Sequence, residues 1–519
     1  MTPSLPTDCL NGIFRCLLDD ASSLHSCLLV NRLWCKIAIP LLWNNPWQST
    51  QLFVDRNWPA IIRTFSSCLP EESKDILRKN GIDLLQTISS KPSLFDYVGY
   101  CQYLSPTVMD RLKRILTVGE DNKKNVNECY SRLYREHLVE QEFYKLFMSR
   151  CSLKHLVLPR IPLSYFPGAN HCLEYLRHLK CYIDRPPELF YGLAHISRNL
   201  HRLTICHCDE DNEGLVTLIK LQKGLKSLVL DSSEDYVSIC PRIGQALITQ
   251  AHSLSFLKIR QSLCIPPETI AFFINLRILQ LDITTRVANM ELLSLTTLPK
   301  LEILDIFGDE NAPFSTYSSL ISNSISASNS PCLQRIYWND ITPPVCIEEI
   351  KHFIQILLPA SSTLRFLTIW WSEETQKELF TLLSLCRQLE AIKFCYQDLN
   401  SNSNSDEYYL ADESCTGNFV QGKLIFELLE LISHGNENLC ILCLQGKWTF
   451  TSKELIEFLE FWKEKQKNSL SLYLLPFESK SRIELDRIFQ KYLTSGVLKD
   501  FGDKGYLDTI PFLRNIWTF

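Results

Sequence analysis

Glycine is scarce in this chain, at 17 of 519 residues. That shortage argues against glycine-rich β-architectures and long flexible linkers. No run of about 18 uncharged apolar residues occurs, so no transmembrane helix is expected. The opening residues, Met1 to Pro6, lack the basic stretch and apolar run of a secretory signal. No Asn-x-Ser/Thr glycosylation acceptor is present. An excess of positive charge is missing too. Lys and Arg number 53 against 58 Asp and Glu, a net charge of −5, which excludes a polycation built for nucleic acid. Cysteine, in contrast, is plentiful. The count of 21 is odd and cannot close wholly into disulfides within one chain, and most thiols sit in apolar runs. Reduced, buried thiols in a cytoplasmic or nuclear protein fit this usage. Hydrophobic residues at 45 % supply ample core. The length predicts three or four domains, or fewer if the chain is a repeat array.

A short pattern recurs: Leu, two residues, an aliphatic, one residue, another apolar residue. It begins at Leu153, Leu176, Leu200, Leu225, Leu254, Leu276, Leu301, Leu333, Leu364, Leu389, Leu439 and, more weakly, Leu470. The second copy can also be read from Leu173, but Leu176 gives the more regular period. Most starts lie 22 to 32 residues apart, with one gap of 50. This is close to the period of leucine-rich repeats, each a strand plus a helix that cannot bury its apolar face alone. The fold class expected is therefore an α/β solenoid, a leucine-rich-repeat horseshoe. Between the strands, Pro187 to Ser197, Ile347 to Leu358 and Lys453 to Trp462 carry apolar residues at helical spacing. The longer gaps are expected to hold insertions, at the Ser-rich stretch Ser315 to Ser330 and the polar run Asn400 to Asp406. Eight residues after the first Leu, small side chains recur: Asp184, Cys208, Ser233, Ser262, Thr284, Asp309 and Ser372. Capping of the turn by these groups is the expectation.

The N-terminal 47 residues read as a separate helical module. Leu10, Ile13, Phe14, Leu17 and Leu18 follow a helical period, with Asp8 as start signal. A second helix opens near Ser22 and Ser23, and a third carries Leu33, Trp34, Ile37 and Leu42. Three helices this apolar cannot hide all their surface in under 50 residues, so a partner surface is expected. The segment resembles an F-box on Leu5, Pro6, Leu10, Ile13, Phe14, Val30, Arg32, Trp34, Ile37, Ala38, Leu42 and Trp43. Asp8 stands where that motif usually has Glu, and Cys9 where it has Ile or Leu. Together with the repeats, the chain resembles the divergent F-box and leucine-rich-repeat proteins of some fungi. That resemblance implies a small all-α F-box module over 1–47 ahead of the solenoid. It implies docking on a Skp-type adaptor of a cullin (SCF) ubiquitin ligase, through Leu5, Pro6, Leu10, Ile13, Phe14, Trp34 and Trp43. For the two tryptophans, core and interface stand as equal alternatives. Residues 48–150 read as a helical linker or degenerate first repeats, with helical stretches at Ile76 to Ile88 and Glu128 to Phe147. The solenoid then spans 151–475 and a C-terminal cap 476–519.

Catalytic and cofactor motifs are weak throughout. Gly417 to Lys423 spells most of a phosphate-binding loop, but Leu424 replaces the Ser or Thr and no apolar strand precedes it. A loop opening a helix near Lys423 is the better reading. Cys440 with Cys443, and the Cys206-His207-Cys208 cluster, lack the second pair that a zinc site needs. Cys440 and Cys443 are expected on opposite faces of a strand. No metal, cofactor or enzymatic activity is therefore expected. In the first six repeats the variable strand positions hold Lys154, His155, Arg177, His178, Lys180, His201, Arg202, Lys226, Lys258 and Arg277, with no acid until Glu302 and Asp305. Such a stripe fits an acidic or phosphorylated segment through charge-assisted hydrogen bonds, with Lys154, Arg177, Lys180, Arg202, Lys226, Lys258 and Arg277 as candidates. A plain solvated strand face is the competing reading. The expected function is substrate capture for an SCF ligase. A stand-alone repeat scaffold and a nucleic-acid or acidic-ligand binder are the alternatives, and no membrane partner is expected.

Overall fold

The computed structural model describes residues 5–47, 58–82, 84, 94–117, 126–233, 239–283, 290–308, 313–328, 330–339, 343–396, 420–432, 437–446, 448–465, 468–475 and 482–502. The chain divides into two compact units: Met1–Ser232 with Ser238–Leu254, and Ser233–Val237 with Ser255–Phe519.

The first unit opens with three short helices, α1 (Thr7–Arg15), α2 (Ala21–Cys27) and α3 (Arg32–Leu42). Asp20 caps α2 by accepting from the Ser23 amide at 3.0 Å, and Asn31 caps α3 by accepting from Trp34 at 2.9 Å. Phe14, Leu24, Cys27 and Ala38 form their common core. Trp34 meets Phe14 edge-on at 5.0 Å. The end of α3 is anchored by aromatic packing: Trp43 lies on Phe65 and Tyr97, and Trp47 stacks on Trp58 at 5.3 Å. Further helices follow at Trp58–Ser67, Glu71–Lys79, Pro106–Thr117 and Val126–Arg150. The stretch Ile76 to Ile88 is thus helical only to Lys79, with Asn80 and Gly81 turning the chain out. Its later part falls largely outside the described residues, as does the polar run Asn400 to Asp406.

Five parallel strands complete this unit: β1 (Tyr103–Leu104), β2 (His155–Val157), β3 (His178–Tyr182), β4 (Arg202–Cys206) and β5 (Ser227–Asp231). Each motif leucine turns inward. Leu153, Leu176, Leu200 and Leu225 are buried, as are Leu156, Leu179, Leu203 and Leu228. The intervening helices Pro187–Ile196 and Glu213–Lys220 pack so closely that any side chain at Gly214 would strike the carbonyl of Pro187. Polar side chains stitch successive repeats together. Ser197 donates to the Leu173 carbonyl at 2.8 Å and Ser253 to the Leu225 carbonyl at 2.9 Å. The buried amides of Gln222 and Gln250 bond main-chain groups of neighbouring repeats.

The second unit repeats the scheme with nine parallel strands. They are β6 (Phe256–Gln261), β7 (Ile278–Ile283), β8 (Ile303–Phe307), β9 (Arg335–Asn339), β10 (Phe366–Trp370), β11 (Ala391–Cys395), β12 (Ile441–Gln445), β13 (Leu470–Leu475) and β14 (Leu498–Gly502). Their order along the sheet is their order in the chain. Thr363 donates to the Leu333 carbonyl at 2.7 Å, the counterpart of Ser197 and Ser253. Parallel strands joined by helical crossovers, one per motif, give each unit the leucine-rich-repeat arrangement.

Several details differ from the sequence reading. The Ser-rich stretch from Ser315 is no loop insertion. Most of it is the helix Phe314–Ser326, whose Tyr317, Leu320 and Ile321 are buried, while Ser315 and Ser326 face outward and the buried Ser324 bonds back to the Leu320 carbonyl. Two ladder strands were not foreseen, β1 and β14, where Cys101 and Val497 stand near the place of the leading leucine, and neither was the separate short pairing of Val420–Gln421 with Trp448–Thr449. Cys440 and Cys443 do not face apart. Both pack against one cluster of Tyr337, Phe366, Ala391, Ile441 and Tyr473, because Cys440 precedes the strand and its alternation.

Candidate functional site

Two surfaces of the first unit carry all the predicted site residues but Lys258 and Arg277. The first is the N-terminal helical module. Leu10 and Phe14, expected to meet a partner, are instead 3 % and 1 % exposed and form the module's own core. They sit on the α1 stripe that faces α2 and α3, which the helical period alone could not separate from the flank beside it. Trp34 and Trp43 are half-buried and engaged in ring contacts. Leu5, Pro6 and Ile13 are exposed, joined by Leu29, at 82 %, and Val30. At about 100° per residue, Ile13 lies about 160° around α1 from Asn11 and Arg15.

The second surface is the outward face of β2 to β5, where cations fall in rows. Lys154, Arg177, His201 and Lys226 form one row, linked by amides donating to the preceding row member's carbonyl at 2.8 to 2.9 Å. His155, His178, Arg202 and Ser227 form the next. Val157, Lys180, Thr204 and Val229 form the third. No Asp or Glu occupies these rows. Adjacent strands lie about 4.8 Å apart, so like charges are neighbours. Arg177 donates to the Asn199 carbonyl at 3.0 Å and lies 3.4 Å from the His201 ring. The His155 and His178 rings lie 4.2 Å apart, tilted at 50°.

The imidazoles respond to that crowding. Burial, then His155, Arg202 and His201, lower the His178 pKa to about 4. Burial with Arg202 and Lys154 lowers His155, and burial with Arg177 and Lys226 lowers His201. All three are therefore neutral at pH 7, and the positive charge resides on Lys154, Arg177, Lys180, Arg202 and Lys226.

Lys258 and Arg277 belong to the second unit, and Arg277 is not available as an open cation. Its guanidinium forks onto Glu302 at 2.6 and 2.9 Å across the strands. Arg365 also pairs with Glu390 across the strands, its Nε and Nη2 both donating to Oε1. Deeper on this face, Arg335 meets Asp305 at 2.8 Å, with the pair 4 % and 0 % exposed. Burial pushes the Asp305 carboxyl upward despite Arg335 and the Gln280 amide. Lys393, also buried, donates to the Trp338 carbonyl at 3.0 Å and the Asn339 side chain at 3.1 Å.

A groove of about 450 Å³, unseen in the sequence, opens among Thr7, Asn11 and Arg15 of α1, Lys36 and Pro40 of α3, and Asn44, Gln102 and Lys154. Lys154 comes from a segment more than 100 residues beyond Arg15 and Lys36, which is why no local motif announces the groove. The thiol clusters have no such geometry. Cys206 and Cys208 are buried while His207 points out with a positive φ of 54°. Burial pushes the Cys172, Cys386 and Cys443 thiols up to about 12, away from reactive thiolate. Among the described residues, no group of three His, Cys, Asp or Glu could hold a metal ion. The phosphate-loop-like stretch ends in the helix Lys423–Ile432, and Gly417 to Phe419 lie outside the described residues.

No family model matches the chain, and no curated protein matches it. A solved structure titled as the Toll–Spatzle complex, a molecular hub in Drosophila development and innate immunity, contains a similar chain. The TM-score is 0.36 at 11 % identity, over 63 % of this chain and 40 % of that one. This chain therefore spans well under half of that neighbour's length. No helix among the described residues is long and apolar enough to cross a membrane.

Proposed function

We propose that the chain is a substrate receptor and not an enzyme. The N-terminal module would dock on a Skp-type adaptor of a cullin ligase, and the basic strand face would hold an acidic or phosphorylated protein segment. The reading rests above all on the outer surface of a module whose core is already closed. With Leu10, Phe14, Leu24, Cys27 and Ala38 filling the interior, Leu5, Ile13, Leu29 and Val30 still face solvent. Apolar side chains left outside so small a core are the feature expected of a docking surface. The resemblance to an F-box then names the adaptor. Ubiquitin transfer would follow from proximity, the receptor raising the local concentration of a target lysine beside chemistry supplied by others.

Co-expression with a Skp-type adaptor tests this. The wild-type chain should co-purify, and Ile13→Asp combined with Val30→Asp should abolish the complex while the fold persists. Leu10→Asp is unsuitable, because it would bury a charge and unfold the module. A stand-alone repeat scaffold predicts no adaptor complex at all. A nucleic-acid binder predicts steep salt dependence, and the neutral imidazoles that interrupt the cationic rows disfavour it.

A further inference from the structure

The groove between α1, α3 and the start of β2 has a charge pattern that calls for one kind of occupant. Arg15, Lys36 and Lys154 line it and are all exposed, and among the described residues none forms an ion pair. The other polar lining groups are Thr7, Asn11, Asn44 and Gln102, and no acid contributes. Its wall is held by main-chain bonds. The Gln102 amide donates to the Asn44 carbonyl at 2.8 Å, and the Lys154 and His155 amides both donate to the Gln102 carbonyl at 2.9 Å. Lys154 is thus mounted on fixed backbone, which lowers the ordering cost of binding. Lys154 also begins the first cationic row, so the groove opens onto the basic strand face.

We propose that this groove seats a phosphorylated Ser or Thr of a partner protein, whose flanking residues run on along the row of Lys154, Arg177 and Lys226. The proposal rests on the reading that the strand face captures an acidic segment, and adds where the phosphate sits. A phosphoryl group carries about −1.5 to −2 charge at pH 7 and three acceptor oxygens. Three cations from three separate elements match that better than a single carboxylate, which one cation satisfies. A polynucleotide needs a continuous cationic track, and His201 breaks the row beyond Arg177. On α1 the groove residues Asn11 and Arg15 lie on the flank opposite Ile13. Adaptor docking and phosphate capture therefore use different sides of one helix.

The test uses the full chain and an arrayed library of seven-residue peptides with central phosphoserine or phosphothreonine and degenerate flanks, beside their unphosphorylated forms. Phosphorylated peptides should bind at least about tenfold more tightly than their unphosphorylated forms. Lys36→Glu and Lys154→Glu should each lose at least about tenfold in affinity, and Lys36→Arg should retain it. Adaptor co-purification should be unchanged in all three. No phosphate-dependent binder in the library overturns the proposal. So does loss on Arg177→Glu with Lys180→Glu while the groove variants bind normally, although the strand-face reading then survives. Equal binding of a ten-nucleotide oligouridylate, with steep salt dependence, also overturns it. Failure of the adaptor to co-purify with a chain that still binds phosphopeptides removes the ligase reading and leaves the groove intact.

Discussion

The strand faces of the two units grow from the same six-residue pattern and treat charge in opposite ways. In the first unit, the residue after each leading leucine is Lys154, Arg177, His201 or Lys226. In the second, the equivalent residues from β7 onward are Arg277, Glu302, Gln334, Arg365, Glu390 and Cys440. There an acid follows a base within one or two strands, and Arg277–Glu302 and Arg365–Glu390 close on each other. The next positions are buried: Arg335, Phe366, Ala391 and Ile441. The rows of β2 to β5 carry cations with no acid among them, whereas the second unit closes acid on base across its strands. A repeat scaffold can thus carry one sign of charge along one stretch and paired charges along the next without any change of backbone.

The sharpest break of this contrast is in stability. Arg335→Ala leaves Asp305 buried without its partner and should cost about 3–5 kcal/mol, read as a fall in the denaturant midpoint. Lys180→Ala, on the exposed face of the first unit, should stay within about 0.5 kcal/mol. Binding should reverse the ranking. Arg177→Glu with Lys180→Glu should weaken capture of an acidic segment by more than about tenfold. Measured by anisotropy, Arg365→Glu should leave that affinity unchanged.

Acid should act through the first unit's imidazoles. His178 has a folded pKa of about 4 against an ordinary 6.5, so between these values the unfolded chain binds the extra proton. Stability should therefore fall as pH drops from 6.5 towards about 4 and then level off, and His178→Gln should flatten that slope. A bound anion favours imidazolium, so capture should tighten over the same window, opposite in sign to the stability change. A small effect is expected of Arg277→Ala as well. It opens an exposed pair worth about 1 kcal/mol or less and should leave partner binding untouched.

The strands were legible because a leucine every third and then second position can satisfy only one buried face. Eleven of the twelve motif starts lead into a strand in register, while at the twelfth Leu442 pairs with Leu472, so the leading place falls on Ser469 and not on the expected Leu470. The strands β1 and β14 escaped because Cys101 and Val497 weaken the motif, and a bulge after Leu470 shifts the last pairing. The division of α1 into core and surface was not legible. Leu10, Ile13 and Phe14 are equally apolar, and only packing against Leu24 and Ala38 decides which turn inward. The cationic stripe was visible as far as Lys226. The Arg277–Glu302 fork also left a trace, since the two occupy the same motif position one repeat apart. What the letters could not carry was protonation, because the neutrality of His178 depends on neighbours brought beside it by strand pairing.

The pairing of β11 with β12 has a consequence for how such a chain can change. Ala391 lies directly beside Ile441, although the motifs behind them start 50 residues apart, and Ile278 lies beside Ile303 with half that excursion. For a flexible connection, doubling the length adds only about 0.6 kcal/mol of closure entropy. Sequence can accordingly be inserted or trimmed between ladder rungs at little thermodynamic cost, while each rung keeps its place. Lineages could then drift widely in length and still present the same ordered alphabet of side chains.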